Sequence, residues 1–231
     1  MLVTGFLAGP TNCYVVAPGP GEQCVVIDPG AQAVPQLEEV LAEHRLHPVA
    51  VILTHGHFDH TFSVQPVCDA RDIPAYIHPA DRAQLADPWS GIGAPKGSPL
   101  FGQITFAEPA EVKELTDGEK LEIAGIELTV RLAPGHTPGS VVFDTTDAAG
   151  APITFSGDVL FEGSIGRVDL PGGSEEEMFR TLARVILPMA DETVVHPGHG
   201  NSTTIGRERG TNPYLRLAAQ QAAGPAPRTG L

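Results

Sequence analysis

Apolar runs separated by turn residues dominate the first third of the chain, and they predict alternating strands and helices. Residues 12–17, 23–28 and 49–54 are apolar runs of strand length. Residues 33–45 place apolar side chains at helical spacing with glutamates between them, which predicts an amphipathic helix. The run at 49–54 does not alternate with polar residues, which indicates a strand buried on both faces, as in a sheet covered by helices.

The second half of the chain is predicted to be mostly strand. Further strands are predicted at 74–78, 120–124, 126–132, 140–145, 152–156 and 192–196. A short helix is predicted at 79–85, and a longer one opens at the capping-box residues 174–177 and ends at Pro188. Because each half carries its own strands and helices, two packed sheets with outer helices fit better than one sheet.

Length and loop composition set the predicted domain boundaries. A chain of 231 residues fits one large domain, or one domain with a short appendage. We predict a domain at 1–215 and a flexible C-terminal tail at 216–231, which is rich in Ala, Gly and Pro from Ala222 onward. Residues 87–102 form a long segment of Gly and Pro without periodicity, which predicts either a lid over a site or a mobile connector.

The charge balance limits the partners. A formal net charge of −14 disfavours binding to a phosphate backbone, so nucleic acid is not an expected partner. The N-terminal residues lack a basic leader pattern, and no apolar run approaches the roughly 20 residues of a membrane span. We therefore expect a cytoplasmic protein without a membrane partner.

The three cysteines, Cys13, Cys24 and Cys68, form an odd set without the spacing of metal ligands. Cys13 and Cys24 lie inside apolar runs. This pattern predicts buried free thiols in a reducing compartment.

Metal-ligand side chains follow four of the predicted strands. They are His55, His57, Asp59 and His60 after the strand at 49–54, then His136, Asp158 and His199 after three later strands. Strand ends are the usual place for a site on an α/β scaffold, so we expect these side chains to converge. Three imidazoles and a carboxylate within six positions are costly on a surface that binds no cation, which makes this cluster a strong metal signal.

Five histidines and two aspartates exceed one tetrahedral zinc ion, which takes about four ligands. One division of the set gives a first metal His55, His57 and His136, a second metal Asp59, His60 and His199, and a bridging role to Asp158. Two such cations would share a hydroxide with a pKa near 7, which supplies a nucleophile without Ser or Cys. We predict two divalent ions, zinc first, with iron or manganese as alternatives.

The remaining histidines are predicted to be structural. His44, His47 and His78 lie in polar settings at element ends. His196 lies at a strand end three residues before His199, and orientation of a metal ligand is the alternative role for it.

The ligand motifs resemble those of the metallo-β-lactamase superfamily. The resemblance rests on residues 54–60, 135–139, 157–158 and 197–200, and it spans most of the chain. It implies a four-layer αβ/βα sandwich of two mixed sheets flanked by helices, with the metals between the sheet edges and the ligand division given above. Asp28 matches the early aspartate of the family, which supports the metal site from behind its ligands.

Within the superfamily the chain resembles the glyoxalase II group, which are hydroxyacylglutathione hydrolases, in their short bacterial form. The segments that carry this resemblance are 155–161, 163–167, 206–209 and 211–214. Arg167 matches a basic residue that those enzymes use to bind glutathione. Asp169 and Asn201 stand where they carry aromatic residues. The resemblance implies hydrolysis of a small-molecule thioester such as S-lactoylglutathione.

The predicted reaction is therefore thioester hydrolysis by a hydroxide that the metals generate and that Asp59 and Asp158 orient. A thiolate leaves readily because its conjugate acid has a pKa of about 8.5, so no strong general acid is required. Two alternatives stay open. One is a persulfide dioxygenase with a single iron on His55, His136 and Asp158, and the other is a noncatalytic metal-binding protein. A β-lactamase and a superfamily nuclease are disfavoured.

Overall fold

Two β-sheets pack face to face in the computed structural model of the protein, which describes residues 1–101 and 104–223. The first sheet contains, in spatial order, β1 (Leu2–Ala8), β2 (Thr11–Ala17), β3 (Gln23–Ile27), β4 (His47–Ile52), β5 (Ala75–Ile77) and β6 (Val112–Glu114). The strands β1 to β3 pair antiparallel, whereas β3 to β6 pair parallel. This sheet is therefore mixed.

The second sheet is mixed as well. It contains β7 (Lys120–Ile123), β8 (Ile126–Leu132), β9 (Val141–Thr146), β10 (Pro152–Gly157), β11 (Val194–Pro197) and β12 (Thr203–Thr204). Its strands pair antiparallel except for β10 and β11, which are parallel. The crossover between that parallel pair contains the helix that begins at Glu175.

Helices flank both sheets. They are α1 (Ala33–His44), α2 (Phe58–Thr61), α3 (Val64–Asp69), α4 (Pro79–Arg82), α5 (Pro88–Gly91), α6 (Glu175–Thr181), α7 (Ile205–Thr211) and α8 (Pro213–Ala222). A π-helical segment at Leu182–Ile186 continues α6. The Ser174 side chain accepts from the Glu177 amide, which is the predicted cap of α6.

Three apolar layers separate these four structural layers. Alternate residues of β2 divide between them: Val15 faces a cluster with Leu37 of α1, whereas Val16 faces the second sheet. Phe143 and Phe155 fill the layer between the sheets, where burial of each contributes roughly 1.5–3 kcal/mol. A third cluster packs α6 and α8 on the second sheet. The predicted four-layer sandwich is confirmed.

The predicted strands are observed with shifts of up to two residues at their ends, and 126–132 coincides with β8. The strand predicted at 49–54 is observed earlier, as β4, because the Thr54 amide donates to the Asp28 carboxylate instead of to a neighbouring strand. The pattern did not predict β1, which is an edge strand whose residues are mostly half-exposed. Segment 87–102 contains α5 and a 3₁₀ turn at Pro99–Phe101, and its last residue lies outside the described residues.

The C-terminal helix α8 extends beyond the predicted domain boundary at 215. Asn212 caps it by accepting from the amides of Tyr214 and Leu215, and Leu215 and Ala218 are buried against the second sheet. The first residues of the predicted tail are therefore helical, whereas 224–231 lie outside the described residues. Among the helices that the structure describes, none is long and apolar enough to cross a membrane.

The cysteines are buried and free, as predicted. Burial raises the pKa of the Cys24 and Cys68 thiols to about 12, and it raises the pKa of Cys13 as well. All three thiols are therefore protonated at neutral pH and act as small apolar side chains.

Candidate metal centre

The seven predicted ligands meet at one edge of the sandwich, between the two sheets. The first sheet supplies four of them through the turn after β4 and the short helix α2, and the second sheet supplies three after β8, β10 and β11. They are His55, His57, Asp59, His60, His136, Asp158 and His199. Because each group of ligands includes side chains from both sheets, the packing of the sheets fixes the geometry of the site.

The first triad consists of His55, His57 and His136. The Nδ1 atom of His57 lies 2.8 Å from Nε2 of His136, which lies 3.2 Å from Nε2 of His55. All three rings are buried. Three ring nitrogens therefore face one small volume, as one metal ion requires.

The second triad consists of Asp59, His60 and His199. The two Nε2 atoms of His60 and His199 are 3.3 Å apart, and Asp59 Oδ2 lies 3.3 Å from His199 Nε2 and 3.7 Å from His60 Nε2. His60 is buried, whereas the other two are partly exposed. This triad thus opens toward solvent on one side.

Asp158 lies between the two triads. Its Oδ1 is 3.3 Å from His60 Nε2, and its Oδ2 is 3.5 Å from His136 Nε2 and 3.3 Å from His199 Nε2. One carboxylate therefore reaches ring nitrogens of both groups, which is the position that a bridging ligand needs.

Backbone carbonyls fix the orientation of two rings. His136 Nδ1 donates to the Arg167 carbonyl at 2.7 Å, and His199 Nδ1 donates to the Pro10 carbonyl at 2.9 Å. A carbonyl only accepts, so each neutral ring carries its proton on Nδ1. The lone pair on Nε2 then points into the site, as in metal-binding histidines.

Asp28 fixes two further rings. Its Oδ2 contacts His60 Nδ1 at 2.9 Å and accepts the Thr54 hydroxyl proton at 2.6 Å. Because that proton is used, Thr54 Oγ1 accepts from His55 Nδ1, which lies 3.1 Å away. The structure thus places Asp28 behind the ligands, where it turns the Nε2 lone pairs of His55 and His60 toward the site.

The donor set fits divalent cations. Four Nε2 lone pairs, one Nδ1 atom and two carboxylates converge, and the ligand atoms within each group lie within 4.8 Å of one another. Such lone pairs repel each other unless a cation or protons lie between them. Imidazole and carboxylate together suit zinc, iron and manganese. The residues present therefore fit a two-metal centre.

Burial and neighbouring charges shift the pKa values of the histidines in opposite directions in the two triads. Burial, with the neighbouring imidazoles, lowers the pKa of His55 and lowers that of His57 to about 4. In the second triad burial alone would lower the pKa of His199, but hydrogen bonds to Asp158 and Asp59 raise it to about 10. The pKa of His60 is raised too, since the charge of Asp158 outweighs the effect of burial.

The carboxylates stay ionised. Burial alone would raise the pKa of Asp59, but the hydrogen bond from His199 and the charge of His60 lower it to about 2. Burial alone would also raise the pKa of Asp158, but the charge of His60 outweighs it and lowers that pKa. Both side chains therefore bring negative charge to the centre at neutral pH.

These pKa shifts predict that metal binding releases more protons at the second triad than at the first. At pH 7 the His55 and His57 rings are neutral, whereas His60 and His199 are protonated without metal and must lose those protons to bind it. Affinity at the second triad should fall by about tenfold per pH unit for each proton displaced as the pH decreases. Calorimetric zinc titrations in buffers of different ionisation enthalpy measure this; equal proton release for both equivalents would contradict it.

A cavity of about 540 Å³ opens onto the centre. Its apolar wall consists of Pro10, Phe58, Ile92, Phe161 and Leu170. Ile92 comes from the segment that was predicted as a lid or connector, and buried Trp89 in that segment donates to the Ser98 carbonyl. The segment therefore forms part of the cavity wall; its closure as a lid stays a prediction.

The Arg167 side chain also lines the cavity, but an acidic neighbour holds it. Its Nε and one terminal nitrogen donate to the two oxygens of Asp169 at 2.7 and 2.8 Å. This ion pair lowers the pKa of Asp169 to about 2. Both residues are exposed. Arg167, which was predicted to bind substrate, therefore lies at the cavity, but its guanidinium group is already paired with Asp169.

The other histidines lie outside the ligand groups. His196 Nδ1 is 2.9 Å from Ser202 Oγ, and its ring stacks on Phe155 with centroids 5.3 Å apart. His78 caps α4 by accepting from the Ala80 amide.

Two buried carboxylates were missed by sequence reasoning. Asp81 and Glu208 are both fully buried, and each carboxylate accepts three hydrogen bonds. In sequence they occupy helical positions where acidic residues are usually exposed, so no local signal marks them.

Comparisons with known proteins agree on one family. Residues 7–199 match the model of the metallo-beta-lactamase superfamily. An uncharacterized protein of Mycobacterium bovis is 49% identical over 220 residues, which cover 93% of this chain and 98% of that protein. The "Probable metallo-hydrolase YqgX" of Bacillus subtilis is 37% identical, and the hydroxyacylglutathione hydrolase GloC of Haemophilus influenzae is 30% identical; each match covers 84% of this chain and 88% of the relative.

Two solved structures are similar over nearly their full length. The structure of the BLEG-1 B3 metallo-beta-lactamase has a TM-score of 0.79 and 36% identity, and it covers 93% of this chain and 99% of its own. The structure of TTHA1623 in a di-iron-bound form has a TM-score of 0.74 and 37% identity, and it covers 93% of this chain and 100% of its own.

Proposed function

Because the chain belongs to the metallo-β-lactamase superfamily, we propose that it is a two-metal hydrolase that cleaves the thioester of a small thiol, of the S-lactoylglutathione type. The observation that carries the proposal is the position of Asp158, whose carboxylate lies within 3.5 Å of ring nitrogens from both triads. With both metals in place, Asp158 would contact each of them, which is the arrangement that a two-metal centre uses.

The first triad would hold one cation and the second triad the other, with Asp158 between them. When bound, such a pair of cations supplies a nucleophilic hydroxide at neutral pH and stabilises the developing negative charge on the carbonyl oxygen. The di-iron form of TTHA1623 supports a two-metal occupancy and makes iron a candidate beside zinc and manganese.

The protein's own groups position the reactants. Asp59 and Asp158 are ionised acceptors that can hold the proton of an attacking water and so direct its lone pair toward the cavity. The apolar cavity wall excludes bulk water from the acyl group. A thiolate needs little protonation to leave, which suits a cavity whose described lining offers no acid outside the ligand set.

The thioester substrate is supported by a relative. The Haemophilus influenzae protein, 30% identical to this chain, is named a hydroxyacylglutathione hydrolase. Loading the protein with zinc, iron or manganese and measuring metal content together with S-lactoylglutathione hydrolysis tests the proposal. Two metals and turnover support it; one iron with oxygen uptake on a glutathione persulfide would favour the dioxygenase instead. Bound metal without turnover on any thioester would favour a noncatalytic role.

The similarity to BLEG-1 favours a second candidate, β-lactam hydrolysis, which sequence reasoning had disfavoured. The two candidate reactions differ in the bond that is hydrolysed, which is the β-lactam amide in one and the thioester in the other. Hydrolysis of a chromogenic cephalosporin, measured beside S-lactoylglutathione on the same metal-loaded sample, separates the two by their ratio of kcat/KM.

The ion pair at the cavity predicts a specific effect on glutathione thioesters. Asp169→Asn should free Arg167 for a substrate carboxylate and lower the KM for S-lactoylglutathione by about two- to fivefold, because exposed ion pairs are weak. The kcat should not change. A lactoyl thioester of N-acetylcysteamine, which has no carboxylate on its thiol, is the control and should keep its KM. An equal change for both substrates would contradict the prediction.

A further inference from the structure

We infer that Asp81 is a positioning residue for the metal centre: its buried carboxylate joins the two loops that carry the first triad and sets the spacing of His55, His57 and His136. The inference rests on the proposed function only in that this triad binds metal.

Two of the three hydrogen bonds that the Asp81 carboxylate accepts come from residues adjacent to a ligand, and the third comes from the same loop as His136. Its Oδ2 accepts from the Gly56 amide at 2.9 Å and from the Thr137 hydroxyl at 2.6 Å, and its Oδ1 accepts from the Gly139 amide at 2.9 Å. Gly56 stands between His55 and His57, and Thr137 follows His136. A shift of the Asp81 carboxylate would therefore move ligands of the first triad.

The contact joins the two sheets. Asp81 belongs to α4, directly after strand β5 of the first sheet, whereas Thr137 and Gly139 lie between β8 and β9 of the second sheet. Of the described hydrogen bonds of the carboxylate, one comes from the loop after β4 and two come from the loop between β8 and β9. The distance between ring nitrogens from opposite sheets, 2.8 Å for His57 and His136, is thus held from behind.

The fit around Asp81 leaves little room for adjustment. A Cβ atom on Gly139 would lie 2.6 Å from Asp81 Cγ, and one on Gly56 would lie 2.8 Å from the Asp81 carbonyl oxygen. Thr137 is also held by Ser140, whose Oγ lies 2.7 Å from its hydroxyl oxygen. Both loops are therefore pressed against the carboxylate and cannot move without breaking its hydrogen bonds.

Asparagine is the informative replacement. Asp81→Asn keeps the size of the side chain, but its amide NH₂ would face an amide or hydroxyl donor that the carboxylate now accepts from. One of the loops must then move away. Because such supporting residues typically contribute 10–100-fold to metal affinity, we expect a loss of roughly that size at the first triad.

Glu208 offers a matched control. It is also fully buried and accepts from the Gly163 amide at 2.7 Å, the Thr203 hydroxyl at 2.7 Å and the Asn212 side chain at 3.0 Å. None of these three donors is adjacent in sequence to a ligand of the first triad. Glu208→Gln therefore perturbs a buried carboxylate that accepts the same number of hydrogen bonds, and it should not displace His55, His57 or His136.

The experiment measures metal binding by chelator competition and the visible absorption of the cobalt-loaded protein, with thermal unfolding of each metal-free variant. Asp81→Asn should weaken one metal equivalent by roughly 10–100-fold and change the cobalt spectrum, while the other equivalent stays close to wild type. Glu208→Gln should lower stability and leave both metal affinities unchanged. Wild-type affinities in Asp81→Asn, or an equal loss in Glu208→Gln, would overturn the inference.

Thr137→Val keeps the inference testable if Asp81→Asn does not fold. It removes one of the three hydrogen bonds and leaves the two backbone donors in place. A few-fold selective loss of the same metal equivalent supports the positioning role, and unchanged affinity opposes it. Metal affinity is measured without substrate, so a protein that binds two metals but hydrolyses no thioester would refute the proposed function and leave this test intact.

Discussion

Asp158→Asn is expected to lower thioester hydrolysis by roughly 10²–10³-fold and to weaken metal binding in both triads. The carboxylate is buried, ionised and within 3.5 Å of His60, His136 and His199. Asparagine has nearly the same shape, but it lacks the negative charge and turns an NH₂ group toward cations or ring nitrogens. The measurements are kcat/KM on S-lactoylglutathione and metal content after dialysis.

Asp144→Asn is the control for this substitution. Asp144 lies on β9, pairs with Arg131 and takes no part in the ligand groups, so its replacement changes the net charge equally without touching the centre. Near-normal turnover in Asp158→Asn with both metals lost would contradict the proposed mechanism. Loss of activity in both variants would point to a general charge effect.

Gly198→Ala is expected to abolish most activity by steric intrusion. A Cβ atom there would lie 2.3 Å from Asp158 Oδ1 and 2.6 Å from His60 Cε1. The backbone cannot retreat easily, since the Gly198 amide donates to the Gly157 carbonyl at 2.8 Å and its carbonyl accepts from the Asn12 amide at 2.7 Å. We expect at least about a 100-fold loss of kcat/KM, of the size seen when one group that stabilises the transition state is removed.

Gly200→Ala tests whether this loss comes from the site or from the loop. Gly200 lies two residues away, has a φ of +78° and would place no atom within 4 Å of its new Cβ. The left-handed conformation costs alanine roughly 1–2 kcal/mol. Gly200→Ala should therefore lower the unfolding temperature and keep both metals. Equal metal loss in the two variants would show that the loop, not the intruding methyl group, is responsible.

Much of the centre was predictable because its ligands follow apolar strands. Buried strands leave a clear hydrophobic signal, and polar residues at their ends must converge once the strands join one sandwich. The pairing of Asp59 with His199 depends on contacts between the sheets, but the number and type of ligand residues already favoured two groups. The supporting role assigned to Asp28 came from family resemblance, and its contact with His60 Nδ1 supplies the physical reason.

The parts that sequence reasoning missed depend on contacts without a local pattern. The Asp81 carboxylate accepts from donors 25, 56 and 58 residues away. The carbonyls that orient His136 and His199 belong to the backbone of Arg167 and Pro10, and any residue carries a carbonyl. Strand β1 was missed because Thr4 and Gly5 interrupt its apolar run, so that neither a continuous run nor a clean alternation marks the strand.

The hydrogen bond between His136 and the Arg167 carbonyl gives residue 167 two separate roles. The main chain of residue 167 orients a metal ligand, whereas its side chain meets the substrate cavity. A mutation at 167 therefore alters what the cavity accepts without discarding the bond that keeps the ring in place. Under the proposed function, a single substitution at 167 would change the lining of the cavity while the main-chain carbonyl continues to orient His136.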